Sequence, residues 1–227
     1  MPITDSDQQR IPADIGPMFI GIAGMIGAGK STLATALARL MDIDVYYEPV
    51  TDNEYLADFY RDTKRYSFAT QIYLLNRRFQ QHQEIIWKSR SAVQDRTIYE
   101  DSIFAKMLAQ TGLMDKRDYR TYLDLFRHMS NFMCRPNLIV YLDVHPAQSM
   151  ERIKMRQRDV ESGISLEYLQ ALYQGYEDFV QDISRVLPVI RIDYNEFRTT
   201  EEMADVIVHE YLHHSFLREA AFRPNRH

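Results

Sequence analysis

The chain of 227 residues holds a single cysteine, Cys134, so it can form neither an internal disulfide nor a cysteine-rich metal centre, and a reducing compartment suits it. The lone thiol is expected to pack as a small hydrophobe. No apolar run approaches the roughly 20 residues that cross a bilayer. Basic residues are in deficit, with 27 Lys and Arg against 32 Asp and Glu and a formal charge of −5. That balance offers no field to draw in the phosphates of nucleic acid or an anionic membrane, so neither is expected as a partner. The opening stretch "MPITDSDQQRIPADIGP" lacks both an apolar signal core and an Arg- and Ser-rich amphipathic pattern. Residues 1–17 therefore read as a flexible lead-in, and a cytoplasmic protein is expected. Repeats, low-complexity tracts and linkers are missing too, which leaves one domain over 18–217 and a tail over 218–227.

What is present is a globular composition: 45% hydrophobic residues, with 15 Tyr and 11 Phe. Short β-rich apolar runs at 18–23, 43–47, 91–95, 137–143 and 188–193 predict strands. Between them, segments at 30–41, 53–62, 65–88, 100–112, 116–133, 146–157, 165–185 and 199–217 predict helices. Pro146 stands at a first-turn position, Ser165 can cap, and Thr199 with Glu202 makes a capping box. Strands separated by helices imply a five-stranded parallel sheet covered on both faces, with ligands bound beyond the carboxyl ends of the strands.

The first strand runs into "GMIGAGKST". Gly24, Gly29, Lys30 and Ser31 satisfy G-x-x-x-x-G-K-[ST], the phosphate-cradling turn of the P-loop nucleotide-binding fold. Ile26, Gly27, Ala28 and Thr32 complete it. Backbone N–H groups turn inward around the anion, Lys30 reaches the outer phosphates of ATP, and the Ser31 hydroxyl can bind Mg²⁺. Three other features are expected at the same edge. Glu48, after the second strand and held there by Pro49, could take the proton from an attacking hydroxyl. Asp95 and Arg96, ending the third strand, could hold Mg²⁺ and neutralise the transferring phosphoryl group. Arg152, Arg156 and Arg158 in "ERIKMRQRDVESG" could form an Arg-rich lid over the phosphates.

The motifs "GMIGAGKST", "EPV", "FYRDTKRYSFATQIYLLNRRF", "DRTIYED", "RIKMRQRDVESGISLEYL" and "IDYNEF", taken together, resemble the deoxynucleoside kinases. The likeness covers about 18–197, and the short spacing from Glu48 to Tyr60 is similar to compact bacterial members. The resemblance implies Glu48 as general base for the 5′-hydroxyl, with Arg96 beside it and Asp95 near the metal, and Lys30 of the P-loop completes the catalytic set. It also implies Tyr60 and Glu161 on the sugar 3′-hydroxyl, and Gln71, Arg78 and Asp101 on the base. Arg156 and Arg158 would be lid arginines, the former lying on the donor adenine, with Asp193, Glu196 and Phe197 lining the donor base. A homodimer built on helices 65–88 and 100–133 is implied as well. The acceptor would be a small deoxynucleoside: deoxyadenosine is favoured, with deoxyguanosine and deoxycytidine as alternatives.

Chemistry independent of the likeness agrees, because a neutral nucleoside must shed a proton and a carboxylate near the nucleophile helps. Gln71 can pair bidentately with adenine, and Arg78 with Asp101 supplies one donor set and one acceptor. Thymidylate kinase, a rival reading, usually carries an acidic residue where this loop has Ile26. "HEYLH", His209–His213, fits the H-E-x-x-H zinc-peptidase pattern. The extended form of that motif needs glycine at 216 and histidine at 219, where Phe216 and Glu219 stand. An exposed C-terminal helix is expected there instead. A nucleotide-dependent switch would use the same P-loop but lacks an N-K-x-D motif. Trp87 is expected in a core or interface.

Overall fold

The computed structural model describes residues 17–49, 53–158, 161, 163–196 and 198–221, with side chains in the last helix described as far as Tyr211. In chain order the elements are β1 (Phe19–Gly24), α1 (Lys30–Met41), β2 (Asp44–Tyr46), α2 (Leu56–Arg61), α3 (Thr63–Lys88) and β3 (Ala92–Asp95). A 3₁₀ turn at Ile98–Glu100 leads into α4 (Asp101–Gln110) and α5 (Lys116–Ser130). Then follow β4 (Leu138–Asp143), α6 (Pro146–Arg156), α7 (Leu166–Ile183), β5 (Val189–Asp193) and α8 (Thr200–Ala221).

The strands form one sheet in the order β2-β3-β1-β4-β5, and every pairing is parallel. β1 lies in the middle, in register with β3 at Phe19–Ala92 and with β4 at Ile20–Leu138. Alternate residues of one strand face opposite sides. Leu138, Val140 and Leu142 therefore join Ile20, Ile22, Leu33, Leu37 and the α8 residues Met203, Ile207 and Tyr211 on one face. Ile139 and Tyr141 join Leu75, Ile103, Leu108, Tyr122, Leu172 and Tyr176 on the other. This two-sided burial is why the strands read as continuous apolar runs.

Local chemistry sets the helix ends. Asp62 caps α3 by accepting from Arg65 N at 3.2 Å, Ser165 caps α7 from Tyr168 N at 3.1 Å, and Thr199 and Glu202 exchange two bonds of 3.3 Å. α2 begins at Leu56, three residues later than its pattern suggests, because Asn53 Oδ1 accepts from Tyr55 N at 3.0 Å and turns the chain first. β2 is only three residues long. α8 continues to Ala221 and is not simply an exposed helix, since its Met203, Ala204, Ile207, Val208 and Tyr211 are buried. One further expectation is corrected, since Cys134 is exposed; Trp87, at 74% exposure, lies outside the core, which leaves the interface alternative of its expectation. No helix among the described residues is long and apolar enough to cross a membrane.

Candidate active site

Beyond the carboxyl ends of β1, β2 and β3 lies a cavity of about 450 Å³. Its floor starts at the loop after β1. Gly27 and Gly29 adopt φ of +81° and +91°, a region that side chains with a Cβ disfavour. Space is tight for a Cβ as well: one on Gly27 would lie 3.0 Å from the Ser149 carbonyl oxygen, and one on Gly29 would lie 3.0 Å from Tyr194 Cε1. Ser149 of α6 also donates its hydroxyl to the Ile26 carbonyl. The loop is thus clasped between α6 and the turn after β5, with Ile26, Gly27, Gly29, Lys30, Ser31 and Thr32 on the cavity wall. Gly24 and Ala28 support it from the buried side, and Gly24 N donates to Glu100 Oε2 at 3.2 Å.

Lys30 is buried and donates to the Met25 carbonyl at 2.8 Å. Burial, with Arg96 adding to it, lowers its ammonium to about 8, although Asp95, Glu48 and Glu100 pull the other way. Ser31, one residue further on, hydrogen-bonds Asp95 Oδ2. Burial raises the Asp95 carboxyl, opposed chiefly by Lys30, and its Oδ1 is buried without a hydrogen-bond partner among the described residues.

Glu48 reaches the cavity from the stretch just past β2. Two arginines hold one of its oxygens: Arg78 Nη2 at 2.7 Å and Arg96 Nε at 3.1 Å. Burial alone would raise this carboxyl, but Arg96, then Arg78 and Lys30, outweigh it and bring it down to about 2. Arg96 has φ of +66°, rare for a residue with a Cβ, and its guanidinium lies 4.6 Å from the Phe104 ring centroid. The backbone turns there to aim the side chain at the site, a local strain of the kind found in functional loops. Arg78 also pairs with Asp101, and both are almost fully buried.

Tyr60 and Glu161 both line the cavity, as does Gln71, which is 3% exposed. Gly163 brings the turn bearing Glu161 against α2, because a Cβ there would lie 3.0 Å from the Tyr60 carbonyl oxygen. Arg156 grips both oxygens of Glu161, at 2.8 and 2.5 Å, and Arg158 stands 3.7 Å away. Arg152 parts from these two. It is 7% exposed, donates to the Tyr194 carbonyl at 2.6 Å and stacks on the Tyr194 ring, so it braces the turn after β5 and is no lid residue. Asp101 and Asp95 do not reach the cavity wall, and Asp193 and Glu196 are exposed outside it. Phe197 lies outside the described residues.

Residues with no obvious local signal also build the site. Glu100 accepts from Gly24 N, from Thr97 N at 3.0 Å and from the Tyr176 hydroxyl at 2.7 Å, tying the P-loop to α7. Its only sequence cue is the Thr97-to-Glu100 capping-box spacing. Asn53, Leu56, Phe59, Thr70, Leu74, Phe104 and Tyr168 line the cavity too, and only the three-dimensional arrangement reveals them. Among the described residues no three His, Cys, Asp or Glu side chains are grouped to hold a metal; the side chain of His213 is not among them.

A parallel sheet with strand order 2-3-1-4-5, a glycine-turned anion loop on its central strand and a carboxylate facing that loop define a P-loop phosphotransferase. Comparison with known proteins fixes the family. The deoxynucleoside kinase profile matches residues 20–217. A deoxyadenosine kinase of Dictyostelium discoideum is 58% identical over 88% of this chain and 82% of its own length. A deoxyadenosine/deoxycytidine kinase of Bacillus subtilis is 37% identical over 83% of this chain and 91% of its own. Among solved structures, a deoxyadenosine kinase from M. mycoides with bound dCTP superposes with a TM-score of 0.76 at 31% identity, covering 85% of this chain and all of that one. The chain belongs to the deoxynucleoside kinase family and is a nucleoside phosphotransferase.

Proposed function

We propose that the chain transfers the γ-phosphate of ATP to the 5′-hydroxyl of deoxyadenosine, with Glu48 as the proton acceptor. The observation that carries this reading is Glu48 itself, a carboxylate on the same cavity wall as Lys30 and Ser31 and held by Arg78 and Arg96. A neutral acceptor needs such a carboxylate, whereas a nucleoside monophosphate would be repelled by it.

Held at about 2 by Arg96, Arg78 and Lys30, Glu48 is by itself a weak base. The donor's negative charge, arriving beside Lys30 and Arg96, offsets the cations that depress it. Proton affinity then returns when transfer needs it. Until that point Glu48 orients the hydroxyl by accepting its hydrogen bond, and Arg96 stays close enough to stabilise charge on the moving phosphoryl group. Tyr60 and Glu161 take the sugar 3′-hydroxyl, while Gln71 and Arg78 read the base, Asp101 acting from behind the wall by orienting Arg78. Arg156 and Arg158 close over the phosphates, and Asp193 and Glu196 flank the donor base.

The donor set suits Mg²⁺, a hard cation that keeps several waters and takes one or two protein oxygens beside phosphates. Ser31 would hold the ion, with Asp95 ligating directly or through water; the buried, unpartnered Oδ1 of Asp95 supports this assignment. Bound there, the ion neutralises charge on the donor phosphates.

A homodimer joined through α3, α4 and α5 is part of this reading. Exposed Leu125, Phe132 and Trp87 support it. The single cysteine supports a cytoplasmic setting. Comparing kcat/KM for deoxyadenosine, deoxyguanosine, deoxycytidine and thymidine with ATP and Mg²⁺ tests the proposal. Deoxyadenosine is expected to lead; a lead for deoxyguanosine or deoxycytidine would reassign the acceptor, and a lead for thymidine would overturn the roles of Arg78 and Asp101.

A further inference from the structure

Glu48 must stand in one place, yet the sheet does not hold it there. The β2–β3 ladder ends at the Tyr46–Gln94 pair, two residues short of Glu48, and β2 is an edge strand. Beyond that pair, two side chains hold Tyr47, one by its backbone carbonyl and the other by its hydroxyl. Gln81 of α3 donates its amide Nε2 to the Tyr47 carbonyl at 2.8 Å. On the other side of the residue, the Tyr47 hydroxyl meets Thr35 Oγ1 of α1 at 2.9 Å.

Gln81 is itself held. Gln94 of β3, fully buried, donates Nε2 to Gln81 Oε1 at 3.2 Å. The two amides thus run head to tail from the sheet through α3 to the carbonyl that precedes Glu48. Their orientation follows from the end point: the Tyr47 oxygen can only accept, so Gln81 must turn its NH₂ toward it, which leaves the Gln81 oxygen facing Gln94.

A glutamine inside a parallel sheet is a poor choice for stability. Such strands favour Val and Ile, and a buried amide costs free energy unless all its groups are paired. Gln94 Oε1 is buried without a partner among the described residues. The two residues before it in β3, Ala92 and Val93, are the ordinary apolar kind.

We propose that Gln94 and Gln81 are positioning residues for phosphoryl transfer, acting as one relay that fixes the Tyr47 carbonyl and so sets where the Glu48 carboxylate stands. The inference rests on Glu48 being the proton acceptor. Displacing a reacting group by an ångström can cost about 10²-fold in rate, so a relay of two neutral hydrogen bonds has a large lever.

The test uses the full chain with ATP, Mg²⁺ and deoxyadenosine, comparing Gln94→Met, Gln81→Met, the double variant and Glu48→Gln. The relay predicts that kcat falls about tenfold in each Met variant while KM for ATP and for deoxyadenosine stays within about twofold. The double variant should lose no more than either single one, because the two side chains form one chain of contacts. The melting temperature of Gln94→Met should hold or rise, since its half-paired amide is gone. If Gln94→Met does not fold, Gln81→Met, on a partly exposed helix face, decides by the same split between kcat and KM. Unchanged kcat in Gln81→Met, losses that multiply in the double variant, or a fall in kcat that follows the melting temperature overturns the relay. Full activity in Glu48→Gln overturns the underlying reading instead.

Discussion

Arg78 sets one guanidinium nitrogen 2.7 Å from Glu48 Oε1 and turns the other toward Asp101. One buried cation therefore serves both the carboxylate assigned to proton transfer and the acid assigned to the base. Removing it should act on both. In Arg78→Met the Glu48 carboxyl rises, because Arg96 and Lys30 alone must then offset its burial. The acid limb of kcat/KM for deoxyadenosine, far below the working range in the natural protein, should climb toward neutral pH. Asp101 is left buried without its partner, at a cost of about 3–5 kcal/mol. A pH–rate profile from roughly pH 4 to 8 checks the first effect, and urea unfolding checks the second.

Lys30 gives the alkaline counterpart. Burial, then Arg96, lowers its ammonium to about 8. In the proposed mechanism the charged form grips the donor, so kcat/KM for ATP should fall as pH rises through about 8. Donor phosphates restore the charge once bound, so kcat should stay level to higher pH. Parallel decline of kcat and kcat/KM would show that the limb belongs to another group.

Arg156 holds both oxygens of Glu161, which is 5% exposed. To move onto the donor phosphates, Arg156 must leave that carboxylate, and a sugar 3′-hydroxyl can replace it as hydrogen-bond donor. Saturating deoxyadenosine should therefore tighten binding of a non-hydrolysable ATP analogue by about tenfold, in the range of ordinary site-to-site coupling. 2′,3′-Dideoxyadenosine should tighten it far less. Calorimetric titration of the analogue, with each nucleoside present, measures the difference.

Much of this was legible in the sequence because the signals were local. The glycine spacing of the P-loop, the strand ends that deliver Glu48, Asp95 and Arg96, and the caps at Ser165 and Thr199 all depend on residues a few positions apart. Arg152 and Arg156 look alike in "ERIKMR" and stand one turn apart on the same side of α6, yet one enters the turn after β5 and the other, at the last residue of the helix, reaches Glu161. Only packing separates them. Glu100, Gln94 and Gln81 escaped for the same reason, since their partners lie 76, 13 and 34 residues away. Strand order, too, comes from tertiary packing that no single segment encodes.

Everything in the chemical account passes through one carboxylate. The rate at which Glu48→Gln forms deoxyadenosine monophosphate from deoxyadenosine and ATP, set beside that of the natural protein, tests it most directly. A loss of roughly 10²–10⁴-fold in kcat, with KM for ATP little changed, is the expected result. Product formed at a comparable rate would contradict the account.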